Sequence, residues 1–158
     1  MKNKPTNKKP SVLVAMSGGV DSSIAAWLLK KQGYEVIGAF MKNWSQSKND
    51  FGQCAWRGER HMAQKIAAIL KIPLITLDFE KQYKNLVVKD MIKNYKKGIT
   101  PNPDIVCNQK IKFPLLWKAA KRLKCQYIVT GNYARIKNAK GNYELLRAID
   151  ENKDQSYF

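Results

Sequence analysis

The sequence is poor in the residues that hold disulfide-rich or zinc-dependent folds together. Three cysteines and one histidine occur in 158 residues, at Cys54, Cys107, Cys125 and His61. The cysteines form no Cys-x-x-Cys pair, and three of them do not make a paired disulfide framework. A structural zinc site needs closely spaced cysteine and histidine ligands, so this composition argues against one. It predicts a protein of the reducing cytoplasm, where an important cysteine acts through its chemistry.

Long apolar runs are also missing. No stretch approaches the roughly 20 apolar residues that a membrane-spanning helix needs, so no membrane partner is predicted. Residues 1–10 are polar and basic. They contain neither the apolar centre of a secretory signal nor the arginines of a mitochondrial transit peptide. We predict a disordered basic tail there.

Acidic residues are scarce. Twelve of them face 29 lysines and arginines, which gives a formal net charge of +17 at pH 7. Such an excess attracts polyanions, and RNA is the partner that it favours. The alternative is a genome whose composition places lysine at any solvated position.

Short apolar runs alternate with amphipathic segments along most of the chain. The runs typical of buried strands are residues 12–16, 34–41, 72–77 and 127–130. The segments typical of helices begin after Ser17 and recur at residues 59–71, 82–97 and 110–123. The alternation predicts an α/β fold with a doubly wound parallel sheet over residues 11–132, binding ligands at the carboxyl ends of its strands.

Two further regions depart from this alternation. Residues 43–58 show no periodicity and are predicted to form a loop. Residues 133–158 contain two strand-like runs around Gly141, which predict a hairpin and the start of a further β-rich region. The sequence stops at Phe158 without a helix cap or a charged tail, so we expect this region to be truncated.

The densest motif is Ser17-Gly18-Gly19-Val20-Asp21-Ser22-Ser23, at the junction of the first strand and the first helix. Glycines permit a tight turn there, and the N–H groups of the first helical turn favour an anion such as phosphate. No lysine follows the glycines, so the motif is not a Walker-type P-loop. The structural alternative is an ordinary helix start capped by Asp21 or Ser22.

A second motif lies between residues 100 and 108. Its prolines restrict the loop that presents Asp104, a candidate general acid or base. Cys107 follows three residues later and is predicted to precede a helix, whose N-terminus would favour the thiolate. The structural alternative is a proline turn, a capping aspartate and an inert buried cysteine.

The motifs together resemble the tRNA-specific 2-thiouridylases (MnmA), a family of pyrophosphate-loop ATP pyrophosphatases. The resemblance runs from about Val12 to the last residue, and the Asn-Pro-Asp-x-x-Cys-Asn element separates this family from other pyrophosphate-loop enzymes. The matching segments are Ala15–Ser22, Phe40–Trp44, Thr100–Asn108, Ile111–Phe113 and Lys153–Phe158.

The resemblance implies ATP-dependent 2-thiolation of the wobble uridine of tRNA, through an adenylated C2 oxygen and sulfur from a cysteine persulfide. It implies ATP with Mg²⁺, and a desulfurase or relay protein as sulfur donor. The implied ATP-binding residues are Ala15, Met16, Ser17, Gly18, Gly19, Val20, Asp21, Ser22, Met41 and Gly131. Those implied for the target base are Asn102, Pro103 and Asp104; those for tRNA are Lys153, Asp154 and Gln155. Cys107 is the implied catalytic thiol, acting beside Asp104 and closing a transient disulfide.

The chain departs from the family pattern in several respects, two of which bear directly on the chemistry. The persulfide-bearing cysteine of the family lies well beyond Phe158, so we expect an N-terminal fragment. Asn132 stands where the family usually has histidine, which removes a titratable group. The alternatives are another pyrophosphate-loop enzyme, such as an amide-forming ligase or a tRNA lysidine synthetase, and a non-catalytic tRNA-binding remnant.

Overall fold

The computed structural model describes residues 9–45, 54–139 and 141–157. Residues 1–8 of the predicted basic tail and residues 46–53 of the predicted loop lie outside these ranges. No helix within the described ranges is long and apolar enough to cross a membrane.

Four parallel strands form the central sheet, in the order β3-β2-β1-β4. They are β1 (Ser11–Ala15), β2 (Glu35–Lys42), β3 (Leu74–Asp78) and β4 (Tyr127–Val129). β1 pairs with β2 on one side and with β4 on the other, so that Val12 lies opposite Val36 and Tyr127. This central position explains why β1 is a continuous apolar run rather than an alternating one. The predicted parallel α/β sheet is confirmed.

Helices cover both faces of the sheet. The helical segments are α1 (Val20–Lys31), α2 (Ala55–Leu70), α3 (Glu80–Tyr83), α4 (Lys89–Tyr95), α5 (Pro103–Cys107) and α6 (Phe113–Arg122). Val12 and Val14 of β1 pack with Ala26 of α1 on one face. Leu13 of the same strand packs with Leu116 of α6 on the other. Because successive side chains of a strand point to opposite faces, β1 contributes to an apolar core on each face of the sheet.

Two helix starts differ from their predicted positions by more than two residues. α2 begins at Ala55, whereas the sequence pattern placed its start at residue 59. α5 begins at Pro103, within the predicted loop, because the Asn102 side chain caps it by accepting hydrogen bonds from the N–H groups of Asp104 (3.0 Å) and Ile105 (3.3 Å). Proline at the first helical position has no N–H to leave unpaired, so it favours this start.

Two π-helical turns interrupt otherwise continuous helices. One, Lys84–Val88, joins α3 to α4, and the other, Asn108–Lys112, joins α5 to α6. Each places an extra residue in the turn and so rotates the side chains that follow it. The second turn lies beside the candidate site.

The C-terminal hairpin is also confirmed. β5 (Arg135–Ala139) pairs antiparallel with β6 (Asn142–Leu146) in a separate two-stranded sheet. Gly141 has a φ of +92°, the left-handed conformation that a tight connection requires.

Candidate functional site

The loop between β1 and α1 is held by its own hydroxyl groups. The Ser17 N–H donates to Ser22 Oγ (3.3 Å), and the Gly19 N–H donates to Ser17 Oγ (3.2 Å). The N-cap of α1 is Gly19, which has no side chain to occupy the first-turn N–H groups. The structural alternative of a cap by Asp21 or Ser22 is therefore wrong, and the positive end of the helix dipole faces the loop.

Two glycines allow neighbouring backbone to approach this loop closely. Gly18 has a φ of +87°, and a Cβ on it would lie 2.6 Å from the carbonyl oxygen of Glu59 in α2. A Cβ on Gly131, just beyond β4, would lie 2.7 Å from the Ser22 nitrogen. The loop is thus enclosed by α2 on one side and by the end of β4 on the other.

A cavity of about 330 Å³ opens at this edge of the sheet, a volume in the range of small-molecule sites. Seven of the ten predicted ATP-binding residues line it: Ala15, Met16, Ser17, Asp21, Ser22, Met41 and Gly131. Gly18, Gly19 and Val20 are not among its lining residues. The loop, β2 and the end of β4 therefore meet around one space, as the parallel topology predicts. We call it the nucleotide cavity, after the ligand that the sequence predicts for it.

A smaller space, of about 190 Å³, adjoins the nucleotide cavity. Asp104, Cys107 and Asn108 line it together with three residues that also line the nucleotide cavity, namely Lys112, Asn132 and Gln155. We call it the thiol cavity. Of the residues predicted for the target base, Asp104 lines it, whereas Asn102 and Pro103 form the start of α5. The two sequence motifs therefore lie at adjoining cavities. The cavities have a shared wall, formed by Lys112, Asn132 and Gln155.

Tyr133 links the loop to the C-terminal segment. Its hydroxyl donates to Asp21 Oδ1 (2.7 Å), and its N–H donates to Gln155 Oε1 (3.0 Å). The hydrogen bond to the Asp21 carboxylate raises the pKa of Tyr133, so the hydroxyl stays protonated. Lys153 Nζ lies 5.6 Å from the centre of the Tyr133 ring. These contacts place the residues predicted to bind tRNA beside the residues predicted to bind ATP.

Asp154 differs from its two neighbours in the predicted tRNA set. Its carboxylate accepts hydrogen bonds from the N–H groups of Ala148 (2.9 Å) and Ser156 (3.2 Å) and from the Ser156 hydroxyl (3.0 Å). The bond from Ala148 makes the largest contribution to lowering the pKa of Asp154. Asp154 therefore holds the segment in shape, while Gln155 reaches the cavities.

Cys107 does not occupy the helix N-terminus that the sequence predicted for it. It lies one turn into the helical segment that begins at Pro103, and it packs against Phe79, Val87 and Ile111. Burial raises the pKa of the Cys107 thiol, Lys112 opposes that rise, and Asp104 adds to it. The predicted activation of the Cys107 thiol by a helix N-terminus is therefore wrong. The nearby positive charge that lowers its pKa is that of Lys112.

The alkylation of Cys107 by iodoacetamide is expected to reach half its maximal rate at a higher pH in the folded chain than in urea. Burial disfavours the charged thiolate in the folded state only, so the folded pKa lies above the unfolded one. Lys112→Met removes a charge that lowers this pKa and should move the midpoint further upward.

Peptide mass spectrometry across a pH series measures this rate at Cys107 alone. Lys110→Met is the matched control, because Lys110 is exposed and lies outside the lining of both cavities. A folded midpoint at or below the value in urea would contradict the prediction.

All three cysteines are free, so no disulfide joins any two of them. Cys125 packs in the core beside α6, and Cys54 immediately precedes α2. Neither lines the nucleotide cavity or the thiol cavity.

Several residues that line the cavities were not singled out by sequence reasoning as binding residues. They are Phe40, Asn43, Glu59, Asn108, Lys112, Thr130 and Asn132. Thr130 and Asn132 flank Gly131, so their place at the end of a predicted strand was a usable signal. Lys112 lies in the Ile111–Phe113 segment of the family resemblance, but that segment gave it no binding role, because the π-helical turn that orients it depends on tertiary packing.

The fold and the site together define a class. A central parallel strand that leads through a glycine turn into a helix N-terminus, facing a glycine after a neighbouring strand, is the arrangement of α/β nucleotide-binding domains. A solved structure of NMN synthetase from Francisella tularensis has the same fold, with a TM-score of 0.51 over 77% of this chain and 44% of the other, at 16% identity.

Within this class the family is established. Residues 10–158 match the family described as the tRNA methyl transferase HUP domain, and the chain belongs to that family. It is 50% identical over 155 residues to the tRNA-specific 2-thiouridylase MnmA of Karelsulcia muelleri and 49% identical over 152 residues to that of Buchnera aphidicola. The match covers 96% of this chain in both cases, but 39% and 41% of the two relatives. The resemblance found in the motifs is confirmed.

Proposed function

We propose that this chain is the ATP-binding catalytic region of a tRNA-uridine 2-sulfurtransferase that acts on the wobble uridine. The observation that supports this most directly is the wall shared by the nucleotide cavity and the thiol cavity. An adenylating loop and a thiol on adjoining spaces are what a reaction needs when it activates an oxygen and then replaces it with sulfur. The similarity to 2-thiouridylases in the corresponding region gives independent support.

In this proposal the nucleotide cavity holds ATP. The N–H groups of the first turn of α1 and the hydroxyls of the Ser17–Ser23 loop face the phosphates, while Met41 and Gly131 lie against the nucleoside. The close approach of Gly131 to the backbone of Asp21 and Ser22 holds the end of β4 against this loop. The described residues contain no cluster of three or more metal-ligating side chains, so we propose that Mg²⁺ enters with the triphosphate.

The proposed thiol chemistry uses Cys107 after activation of the base. Asp104, beside it, is placed to contact the uridine and to exchange a proton with it. Adenylation converts the C2 oxygen into AMP, a good leaving group, which a donor persulfide displaces at C2. The Cys107 thiolate then attacks the donor cysteine sulfur. The bond between the donor cysteine sulfur and the sulfur on C2 breaks, and its electron pair goes to the sulfur that stays on C2. A disulfide between Cys107 and the donor remains, and a thiol reductant reopens it.

The proposed RNA interface lies beside the two cavities. Lys153 is exposed and Gln155 lines both cavities, so this segment is positioned where tRNA would enter. The net charge of +17 supplies a long-range attraction for phosphate groups. In this proposal Asn102 and Pro103 act by holding Asp104 at the first turn of α5.

Deletion of the gene is expected to remove 2-thiouridine derivatives from total tRNA in a cell with no second copy of the enzyme. Mass spectrometry of digested tRNA from intact and deleted strains measures this, and restoration by the intact gene is the control. Unchanged 2-thiouridine would overturn the proposal in favour of another pyrophosphate-loop activity. Salt-sensitive tRNA binding with no dependence on nucleotide would favour an RNA-binding remnant instead.

A further inference from the structure

Lys112 occupies an unusual position in the shared wall. Among the residues that line the nucleotide cavity and the thiol cavity, it is the one cationic side chain, and it lines both. The acidic residues Asp21 and Glu59 line the first cavity, and Asp104 lines the second. The single positive charge of the site therefore lies at the boundary between the two spaces.

This lysine has no acidic partner within the described part of the chain. The two ion pairs found there both belong to Lys42, whose Nζ lies 2.9 Å from Asp78 Oδ2 and 3.0 Å from Glu80 Oε2. Lys112 is half-buried, yet it makes no ion pair of this kind. A partly desolvated charge without a partner is unfavourable, and an anionic ligand at the boundary would compensate for it.

The local backbone sets this orientation. Lys112 is the last residue of the π-helical turn Asn108–Lys112, in which Asn108 and Ile111 are buried. An inserted residue turns the following side chains by about 100° relative to an uninterrupted α-helix. The turn allows Cys107, Ile111 and Leu116 to face apolar clusters while Lys112 reaches the cavities. Such π-helical turns occur frequently at functional sites.

We propose that Lys112 binds the α-phosphate of the nucleotide and stabilises the negative charge on it during transfer to the acceptor oxygen. This inference rests on the proposed function, in which ATP occupies the nucleotide cavity. In that reaction the acceptor oxygen forms a bond to the α-phosphorus. The bond from that phosphorus to the bridging oxygen breaks, and pyrophosphate leaves with the electron pair. The α-phosphate must lie where the two spaces meet, which is where the charge of Lys112 stabilises its oxygens.

The test compares the binding of AMP with that of adenosine by isothermal titration calorimetry at constant ionic strength. Lys112→Met is expected to weaken AMP binding about tenfold or more, the range of a charge-assisted contact, and to leave adenosine binding within about twofold of the unsubstituted chain. Lys112→Arg keeps the charge and should recover most of the AMP affinity. Lys110→Met removes the same charge from the neighbouring exposed surface and should change neither affinity.

Each other outcome has a distinct meaning. Equal losses of AMP affinity in Lys112→Met and Lys110→Met would indicate a general charge effect and overturn the assignment. Equal losses of AMP and adenosine affinity in Lys112→Met would indicate a change of cavity shape. The comparison of AMP with adenosine binding is then repeated with Lys112→Gln, which has a polar end group. Unchanged AMP binding in Lys112→Met would overturn the role of Lys112 alone. Failure of the unsubstituted chain to bind either ATP or AMP would overturn the proposed function and this inference with it.

Discussion

Gly131→Ala is expected to abolish measurable ATP binding. The added Cβ would lie 2.7 Å from the Ser22 nitrogen, 2.9 Å from the Asp21 carbonyl carbon and 3.0 Å from the Ser22 Cα. All three atoms belong to the backbone of the first turn of α1, so no side chain can rotate to make room. The end of β4 and the start of α1 must move apart, which displaces the N–H groups proposed to face the phosphates. We also expect overpacking to lower the free energy of unfolding by about 1–3 kcal/mol.

Gly58→Ala is the matched control for this substitution. Gly58 lies inside α2, and its added Cβ would meet no atom within 4 Å. Replacing an exposed helical glycine with alanine should raise the free energy of unfolding by about 0.5–1 kcal/mol and leave ATP binding unchanged. Calorimetry measures the affinity, and urea unfolding measures the stability. Near-normal ATP affinity in Gly131→Ala would show that the close approach of β4 to the loop is not needed.

The sequence was sufficient to predict the sheet and the loop because both depend on local patterns. The run from Val12 to Met16 is apolar without interruption, as a strand with neighbours on both sides requires. The glycines that follow mark a turn, and parallel topology then places Met41 and Gly131 at the same edge. Local composition and overall topology agree in this part of the chain.

The thiol side of the site was less predictable, because its geometry depends on interactions between distant segments. The prolines at residues 101 and 103 indicated a loop, whereas Pro103 begins a helix that the Asn102 side chain caps. The burial of Cys107 arises from Phe79 and Val87, which precede it by 20 residues or more. No local sequence pattern predicts a π-helical turn, since its hydrogen bonds form only when tertiary packing favours an extra residue in the turn.

The shared wall of the two cavities has the same origin. It combines Lys112 from a helical turn, Asn132 from the end of the central sheet and Gln155 from beyond the hairpin. Asn132 stands where the resemblance to the 2-thiouridylases implies a histidine, and it lines both cavities. An asparagine there can donate and accept hydrogen bonds, but it cannot exchange a proton with a substrate near neutral pH.

Cys107→Ala is expected to reduce tRNA 2-thiolation by about 10³-fold or more, the loss typical of removing a nucleophile. ATP affinity should remain within about twofold, because Cys107 lines the thiol cavity and not the nucleotide cavity. Alanine is preferred to serine, because Cys107 is buried and a hydroxyl there would need a hydrogen-bond partner.

Cys125→Ala is the matched control, since Cys125 is also buried but lines neither cavity. The loss of the sulfur atom should cost both variants similar stability in urea, so a difference in 2-thiouridine between them reports on chemistry rather than folding. The measurement is mass spectrometry of tRNA from a deleted strain that expresses each variant. If Cys107→Ala restores 2-thiouridine as well as Cys125→Ala does, the thiol cavity takes no part in sulfur transfer. The shared wall would then serve adenylation alone, as in a pyrophosphate-loop ligase that needs no cysteine.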